Sequence, residues 1–245
     1  MTYDEESELM TYDDDLDDLD TDEEMFPMDA SKSPEAKPEK KRSTRRKLFE
    51  DEEADTAKSQ TENKGLPEEI LALMVVQITK ALCFLMDHNI IHSDVKPSNI
   101  LMNRRGEVKL TDFGLSTCAD VSQNRLGSFA YMSPEKLQHG KHTHKSDIYS
   151  LGVSILELSK FKFPFSESGF HMNEINNLDV DKFVGNTHSH DFKDFIKQCI
   201  QLELGKRLCA SELLQHEWLR NYANMDNDLV CSKISKWYNK ILTSS

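Results

Sequence analysis

The residues of this chain whose types and spacing could do chemistry lie in two short stretches. The first is His92-Ser93-Asp94-Val95-Lys96-Pro97-Ser98-Asn99, and the second, thirteen positions after Asn99, is Asp112-Phe113-Gly114. Moving a terminal phosphoryl group to a hydroxyl needs a carboxylate to orient or deprotonate that hydroxyl, a cation on the migrating group, and oxygen-bearing side chains to hold Mg²⁺. Asp94, Lys96, Asn99 and Asp112 supply those types in that order. Asp94 would receive or orient the hydroxyl proton, Lys96 would offset charge on the phosphoryl, and Asn99 and Asp112 would offer the hard oxygens that Mg²⁺ prefers. Taken singly, each is an ordinary turn or cap residue. As a spaced set they point to phosphoryl transfer.

Several elements must hold these residues in place. Pro67 suits the first position of a helix, and Glu68 and Glu69 suit its N-terminal turn. From there Ile70, Leu71, Met74, Val75, Ile78, Leu82 and Leu85 recur at intervals of three and four, while Leu73, Val76, Ala81 and Phe84 widen the stripe. That pattern predicts a buried helix running to about Asp87. Ile100-Leu101-Met102 and Val108-Lys109-Leu110 read as two short strands joined at Arg105-Gly106, a hairpin under the site. Further helices are expected over 146–159, 191–201 and 210–222.

Charge is unevenly placed. The first thirty residues hold fourteen Asp and Glu and no Lys or Arg, more than the whole net charge of −13, so the rest of the chain is close to neutral. A near-neutral folded part lacks the concentrated basic face that nucleic-acid binding requires. Residues 1–64 carry few aliphatic side chains, so ordering them would not recover the entropy it costs, and a disordered tail is expected. Its aspartates lack the turn glycine and the closing glutamate of a calcium loop. Five cysteines, Cys83, Cys118, Cys199, Cys209 and Cys231, are odd in number and widely spaced. They fit a reduced, intracellular protein. The first residues are neither basic nor apolar, and the apolar run around 71–85 is broken by Gln77, Thr79 and Lys80. Secretory and membrane-spanning readings are therefore set aside.

The two motifs, with HSDVKPSNILMNRRGEVKLTDFGLS, GSFAYMSPEKL and KSDIYSLGVSILELSKFKFPF around them, resemble the eukaryotic protein kinases over roughly residues 66 to 220, and among these the MAP kinase kinases. The resemblance implies a mainly α fold, the large C-terminal lobe of a kinase, with the β-hairpin at its active site. The domains it implies are a disordered tail at 1–65, the lobe at 66–221 and an extension at 222–245. It implies ATP and Mg²⁺ as cofactors, catalytic Asp94 and Lys96, nucleotide contacts from Lys96, Ser98, Asn99, Leu101 and Asp112, and Mg²⁺ on Asn99 and Asp112. Lys96, two residues after Asp94, matches kinases acting on Ser and Thr. In supporting roles, His92 would pack against Phe113 next to Gly114, Asp147 would hold the catalytic-loop backbone, and Glu135 would pair with Arg207. Ser128, after Gly127, would tie Asp94 and Lys96 together. A protein substrate, a MAP kinase among the candidates, is the implied partner.

The basic run 40–47, followed by Leu48 and Phe49, is open to three readings: a solvated run, a nuclear import signal, or a docking peptide in which Arg46, Leu48 and Phe49 make the contacts. The last divides between a MAP kinase and a cyclin as the partner, and Ser33-Pro34 has the outline of a proline-directed phosphorylation site. The expected location is intracellular and cytoplasmic, with nuclear entry open through the basic run. Ser93 stands where kinases usually carry the Arg that captures an activation-loop phosphate, and a hydroxyl cannot form that charge-assisted pair. The positions that MAP kinase kinases phosphorylate fall near Asp120 and Asn124, with Ser122 between them. No glycine-rich loop, V-A-I-K-like strand or partner Glu helix precedes Leu66, and Gly65 is the only glycine before Gly106. The expectation is a lobe without its N-terminal partner and a poor catalyst by itself. Two function classes follow, a MAP-kinase-kinase-like enzyme and a catalytically inert half-kinase that binds or regulates within a MAP kinase pathway.

Overall fold

Why the chain folds where it does is set by one helix, α1 (Glu68–Asp87), whose apolar positions run almost all the way round. The structure, a computed structural model, describes residues 26–27, 65–118, 127–138, 143–166 and 172–244. Pro67 caps α1 from just outside it, and Leu71, Ala72, Leu73, Met74, Val76 and Ile78 are fully enclosed. Each buried aliphatic side chain of this size contributes on the order of 1.5–3 kcal/mol. By length and composition α1 could also cross a membrane, but most of its apolar window is buried inside the fold, as expected of a core helix.

Around α1 the expected mainly α architecture is present, with a small antiparallel hairpin. β2 (Ile90–Ile91) follows α1, then β3 (Ile100–Met102) and β4 (Val108–Leu110), paired as Ile100 with Leu110, Leu101 with Lys109 and Met102 with Val108. β5 (Thr117–Cys118) returns to pair with β2. The helices are α2 (Pro134–Leu137), α3 (His144–Leu158), α4 (Met172–Asn176), α5 (Val180–Val184), α6 (His190–Cys199), α7 (Ala210–Leu214), α8 (Glu217–Ala223) and α9 (Asn227–Ser244). Gln77, which breaks the apolar run in the sequence, has a purpose here. Its side chain donates to Gly106 O and accepts from Val108 N–H, each at 3.0 Å, and pins the hairpin to α1.

Three expectations need correction. The helix expected over 210–222 is two helices, because Gln215 ends one and His216 caps the next, its ring accepting from Trp218 N–H at 3.2 Å. Residues 227–244, read as an extension, form α9, whose Val230 and Ile234 are buried in the same core as α1. Gly106 makes this approach possible, since with φ at +84° a Cβ there would stand 2.1 Å from Cys231 O. Finally, Phe26 and Pro27, placed in the tail by composition, form a short strand, β1, antiparallel to β3. An open sheet edge recruits extended backbone whatever the average composition of the segment. The basic run with Arg46, Leu48 and Phe49, the pair Ser33-Pro34, and Asp120, Ser122 and Asn124 lie outside the described residues.

Candidate active site

The loop between β2 and β3 is shaped by a helix that arrives much later in the chain. α3 begins with a capping box in which Thr143 Oγ1 accepts from Lys145 N–H and Ser146 Oγ accepts from Thr143 N–H. This places Asp147 in the first turn, where its oxygens accept from His92 N–H at 2.7 Å and Ser93 N–H at 2.9 Å. Burial pushes the Asp147 carboxyl above the ordinary range, against the pull of those two amides. The clamp holds Ser93 at φ +72°, a region that non-glycine residues enter at a cost. The His92 ring accepts from Asp94 N–H at 3.3 Å and bonds Thr111 O at 3.1 Å, and it meets the Phe113 ring edge-to-face with centroids 4.8 Å apart. So one imidazole joins the two motifs.

Asp94 is the centre of a closed set of contacts. Its Oδ2 lies 2.7 Å from Lys96 Nζ and accepts from Asn99 Nδ2 at 3.0 Å, and its Oδ1 accepts from Ser128 N–H at 2.8 Å. Lys96 Nζ also donates to Ser128 Oγ at 2.7 Å, which closes the triangle. Burial raises the Asp94 carboxyl, but Lys96 and the Ser128 groups outweigh it and hold the group below the usual carboxylate range. Lys96, Asn99 and both the backbone amide and the hydroxyl of Ser128 thus converge on one buried carboxylate. Gly127 allows Ser128 to reach this position. At φ +117° a Cβ there would collide with Ser93 O at 2.4 Å.

The candidate oxygen ligands, Asn99 and Asp112, lie in the chain between Lys96 and Ser128 of this triangle. Thr111 N–H donates to Asn99 O at 3.0 Å, so Asn99 and the residue before Asp112 are tied across the hairpin. The Asn99 amide nitrogen is committed to Asp94 O and Oδ2, which leaves its amide oxygen for a cation. Asp112 is exposed, at φ +64°, and its carboxylate accepts only a long 3.4 Å bond from Gly114 N–H among the described residues. The Asn99 amide oxygen and the exposed Asp112 carboxylate are of the hard type that suits Mg²⁺, which keeps several waters or phosphate oxygens of its own. Leu101 is half-buried in the middle of β3, and Ser98, half-buried in the turn before it, makes no hydrogen bond to the triangle among the described residues.

Beneath the site, Glu135 meets Arg207 as a bidentate pair, Nη1 to Oε1 at 2.8 Å and Nη2 to Oε2 at 3.0 Å. Burial raises the Glu135 carboxyl and Arg207 more than reverses it, leaving the group below its ordinary value. One residue escaped the sequence reading. Lys136 is buried and donates to Ser93 O at 3.0 Å, so a cation does approach this loop where the usual Arg is replaced, although from α2. Burial lowers its pKa, opposed by Asp147, Asp94 and Glu135. Nothing in Ser133-Pro134-Glu135-Lys136-Leu137 distinguishes it from a solvent-facing lysine.

These shifts predict a pH dependence. Asp94 and Glu135 have folded values below their unfolded ones, so their stabilisation is complete above about pH 4.5 and is lost as pH falls through the folded values. Asp147, raised on folding, works in the opposite sense. Glu135→Gln is expected to flatten the acid limb of stability against pH, measured as urea midpoints between about pH 3 and pH 7. An acid limb of unchanged slope would overturn the assignment.

Comparison with known proteins identifies the family. The protein kinase domain family matches residues 46–219. Mitogen-activated protein kinase kinase 1 of Arabidopsis thaliana is 36% identical over 179 residues, 67% of this chain and 50% of that protein. Dual specificity mitogen-activated protein kinase kinase 7 of Homo sapiens is 32% identical over 193 residues, 74% of this chain and 45% of that protein. The probable serine/threonine-protein kinase mkcD of Dictyostelium discoideum is 36% identical over 173 residues, 67% of this chain and 26% of that protein. The chain spans about half the length of the mitogen-activated protein kinase kinases it matches, and less of the longer Dictyostelium protein.

Proposed function

This chain belongs to the protein kinase domain family, most like the MAP kinase kinases, and from that premise we propose that it carries the catalytic half of a kinase transferring the γ-phosphoryl of ATP to a Ser, Thr or Tyr hydroxyl of a protein, a MAP kinase being the favoured substrate. One observation carries the reading: Asp94, Lys96 and Ser128 close a triangle at 2.7, 2.7 and 2.8 Å, with Asn99 on the same carboxylate. Asp94 is the carboxylate that these contacts hold ready to meet the substrate hydroxyl. Because its carboxyl is held below the usual range, it acts mainly by orienting that hydroxyl, which suffices for a loose transition state. Lys96 bridges Asp94 and Ser128 and sets its charge against the migrating phosphoryl. Asn99 and Asp112 would hold Mg²⁺, which when bound neutralises charge on the phosphates. His92 keeps the two motifs in register through Thr111 and Phe113.

A binding or regulatory role within a MAP kinase pathway is the second reading. It is favoured by the openness of the site in this chain, where Phe113 is 49% exposed and Asp112 lies at the surface. The test compares phosphate transfer to a MAP kinase by this chain alone and by this chain joined to the upper lobe of a MAP kinase kinase. Transfer is expected from the joined protein, with little from the chain alone, because the charge stabilisation that such a lobe adds provides much of the rate. Inactivity of both would favour the binding role.

A further inference from the structure

The two peptides that lead into Asp94 have all four of their polar groups taken by side chains. In the first, His92 O accepts from Ser116 Oγ at 3.3 Å and Ser93 N–H donates to Asp147 at 2.9 Å. In the second, Asp94 N–H donates to the His92 ring at 3.3 Å and Ser93 O accepts from Lys136 Nζ at 3.0 Å. The Lys136 bond is charge-assisted and is the shorter of the two on the peptide that joins Ser93 to Asp94. Ser93 needs these restraints because it sits at φ +72°. Its own hydroxyl gives no help, being buried without a hydrogen-bond partner among the described residues. A residue held in that region relaxes when a restraint is released, and the peptide that follows turns with it. That turn re-aims the Asp94 carboxylate.

Lys136 reaches Ser93 O from a fixed base. Its neighbour in α2, Glu135, is paired with Arg207 and accepts from Ser146 Oγ at 2.8 Å, so a swing of α2 away from the loop would break those contacts. A lysine that served packing alone would carry its ammonium out to water. This one is 4% exposed and donates to a backbone oxygen instead. Burial disfavours its charge, and Asp147, Asp94 and Glu135 around it favour that charge. The same carbonyl lies against Gly127, where a Cβ would stand 2.4 Å from Ser93 O, and the next residue, Ser128, donates its N–H to Asp94 Oδ1 at 2.8 Å. The place of Ser93 O thus sets both the backbone of Asp94 and the approach of Ser128.

We propose that Lys136 is a positioning residue for Asp94, its ammonium fixing the Ser93 carbonyl so that the carboxylate stays aimed at the substrate hydroxyl. The hold on the peptide stands on contacts within this chain. Its effect on transfer rests on the phosphoryl-transfer reading above.

Amide hydrogen exchange at Asp94 is to be followed in the full chain, in Lys136→Met and in Lys136→Arg, with α1 amides as the control for folding. Lys136→Met keeps the length of the side chain and removes the donor, so Asp94 exchange is expected to speed about tenfold or more. Lys136→Arg keeps a charged donor and should restore most of the protection. With the same three sequences joined to an upper lobe, Lys136→Met should lower kcat for phosphate transfer about 10- to 100-fold and leave KM for ATP within about threefold, since the candidate Mg²⁺ ligands are untouched. Lys136→Arg should recover most of the kcat. Unchanged Asp94 exchange in Lys136→Met would overturn the hold, and equal exchange in the Met and Arg variants would trace any effect to packing and overturn it too. Loss of α1 protection would make Lys136 a residue of folding rather than of positioning. Faster Asp94 exchange with unchanged kcat would show that transfer does not depend on this aim. No transfer by any joined protein, the unsubstituted one included, would remove the phosphoryl-transfer reading, while Asp94 exchange would still decide the hold.

Discussion

Replacing Asp94 by Asn is expected to reduce phosphate transfer by about 10²–10⁴-fold in the chain joined to an upper lobe, with Mg·ATP affinity nearly unchanged. The split follows from what each group holds. Asn99 and Asp112, the proposed oxygen ligands, remain, so ground-state nucleotide binding is expected to be preserved. The carboxylate, however, accepts from Asn99 Nδ2 and Ser128 N–H and pairs with Lys96. An amide keeps only one oxygen for these three donors and turns an NH₂ group toward the others, so Lys96 loses its ion pair and the hydroxyl loses its acceptor. The loss should therefore appear in kcat, with KM for ATP largely retained. Transfer within tenfold of the unsubstituted protein would show that Asp94 is not the residue that orients the hydroxyl. A matching loss of nucleotide affinity would show that its role is to shape the loop.

Arg207→Ala is expected to be the most destabilising single change in the chain, costing about 3–5 kcal/mol. Arg207 is only 1% exposed and places four bonds, two on Glu135 and one each on Lys145 O and Gln201 O, while its guanidinium lies 5.2 Å from the Tyr149 ring centroid. Removing it leaves the Glu135 carboxylate largely enclosed without its partner, and leaves a cavity beside Tyr149. Most of the cost is the stranded charge rather than the lost attraction, so removing both partners should cost less than removing Arg207 alone. Glu135→Leu with Arg207→Met is expected to recover at least half of the loss, read from urea unfolding midpoints. A single substitution costing less than about 1 kcal/mol, or a double costing more than the single, would sink this account. Ser146 Oγ also donates to Glu135 at 2.8 Å, so the same carboxylate links α2 to the first turn of α3, from which Asp147 holds the loop at Asp94.

The make-up of the candidate site was legible in the sequence because it is local. Asp94, Lys96 and Asn99 lie within one loop, and Asp112 is reached across a hairpin whose strands show their pairing in period and turn residues. Residue type and short spacing are enough there, since a few bonds of chain leave little freedom of placement. α1 was legible for the same reason, because its apolar repeat specifies burial whatever covers it. The division between α7 and α8 was not, because an imidazole capping its own following turn competes with a continuous apolar pattern, and only packing of Trp218 against Phe192 and Phe195 shows which prevails.

What the sequence by itself determined is thus the set of candidate site residues and the helix and hairpin that carry them. Only the tertiary structure decided how they are held. Ser128 reaches Asp94 across 34 positions, Asp147 reaches His92 across 55, and Arg207 reaches Glu135 across 72. Family resemblance could name these partners but not supply their distances. It did not name Lys136 beneath Ser93, or β1 on the edge of β3. Contacts of that span depend on how whole elements pack, and a buried lysine or a recruited strand is written locally in the same residues as an exposed one. The difference lies in the energy of burial and in unpaired backbone groups, which exist only once the elements have come together.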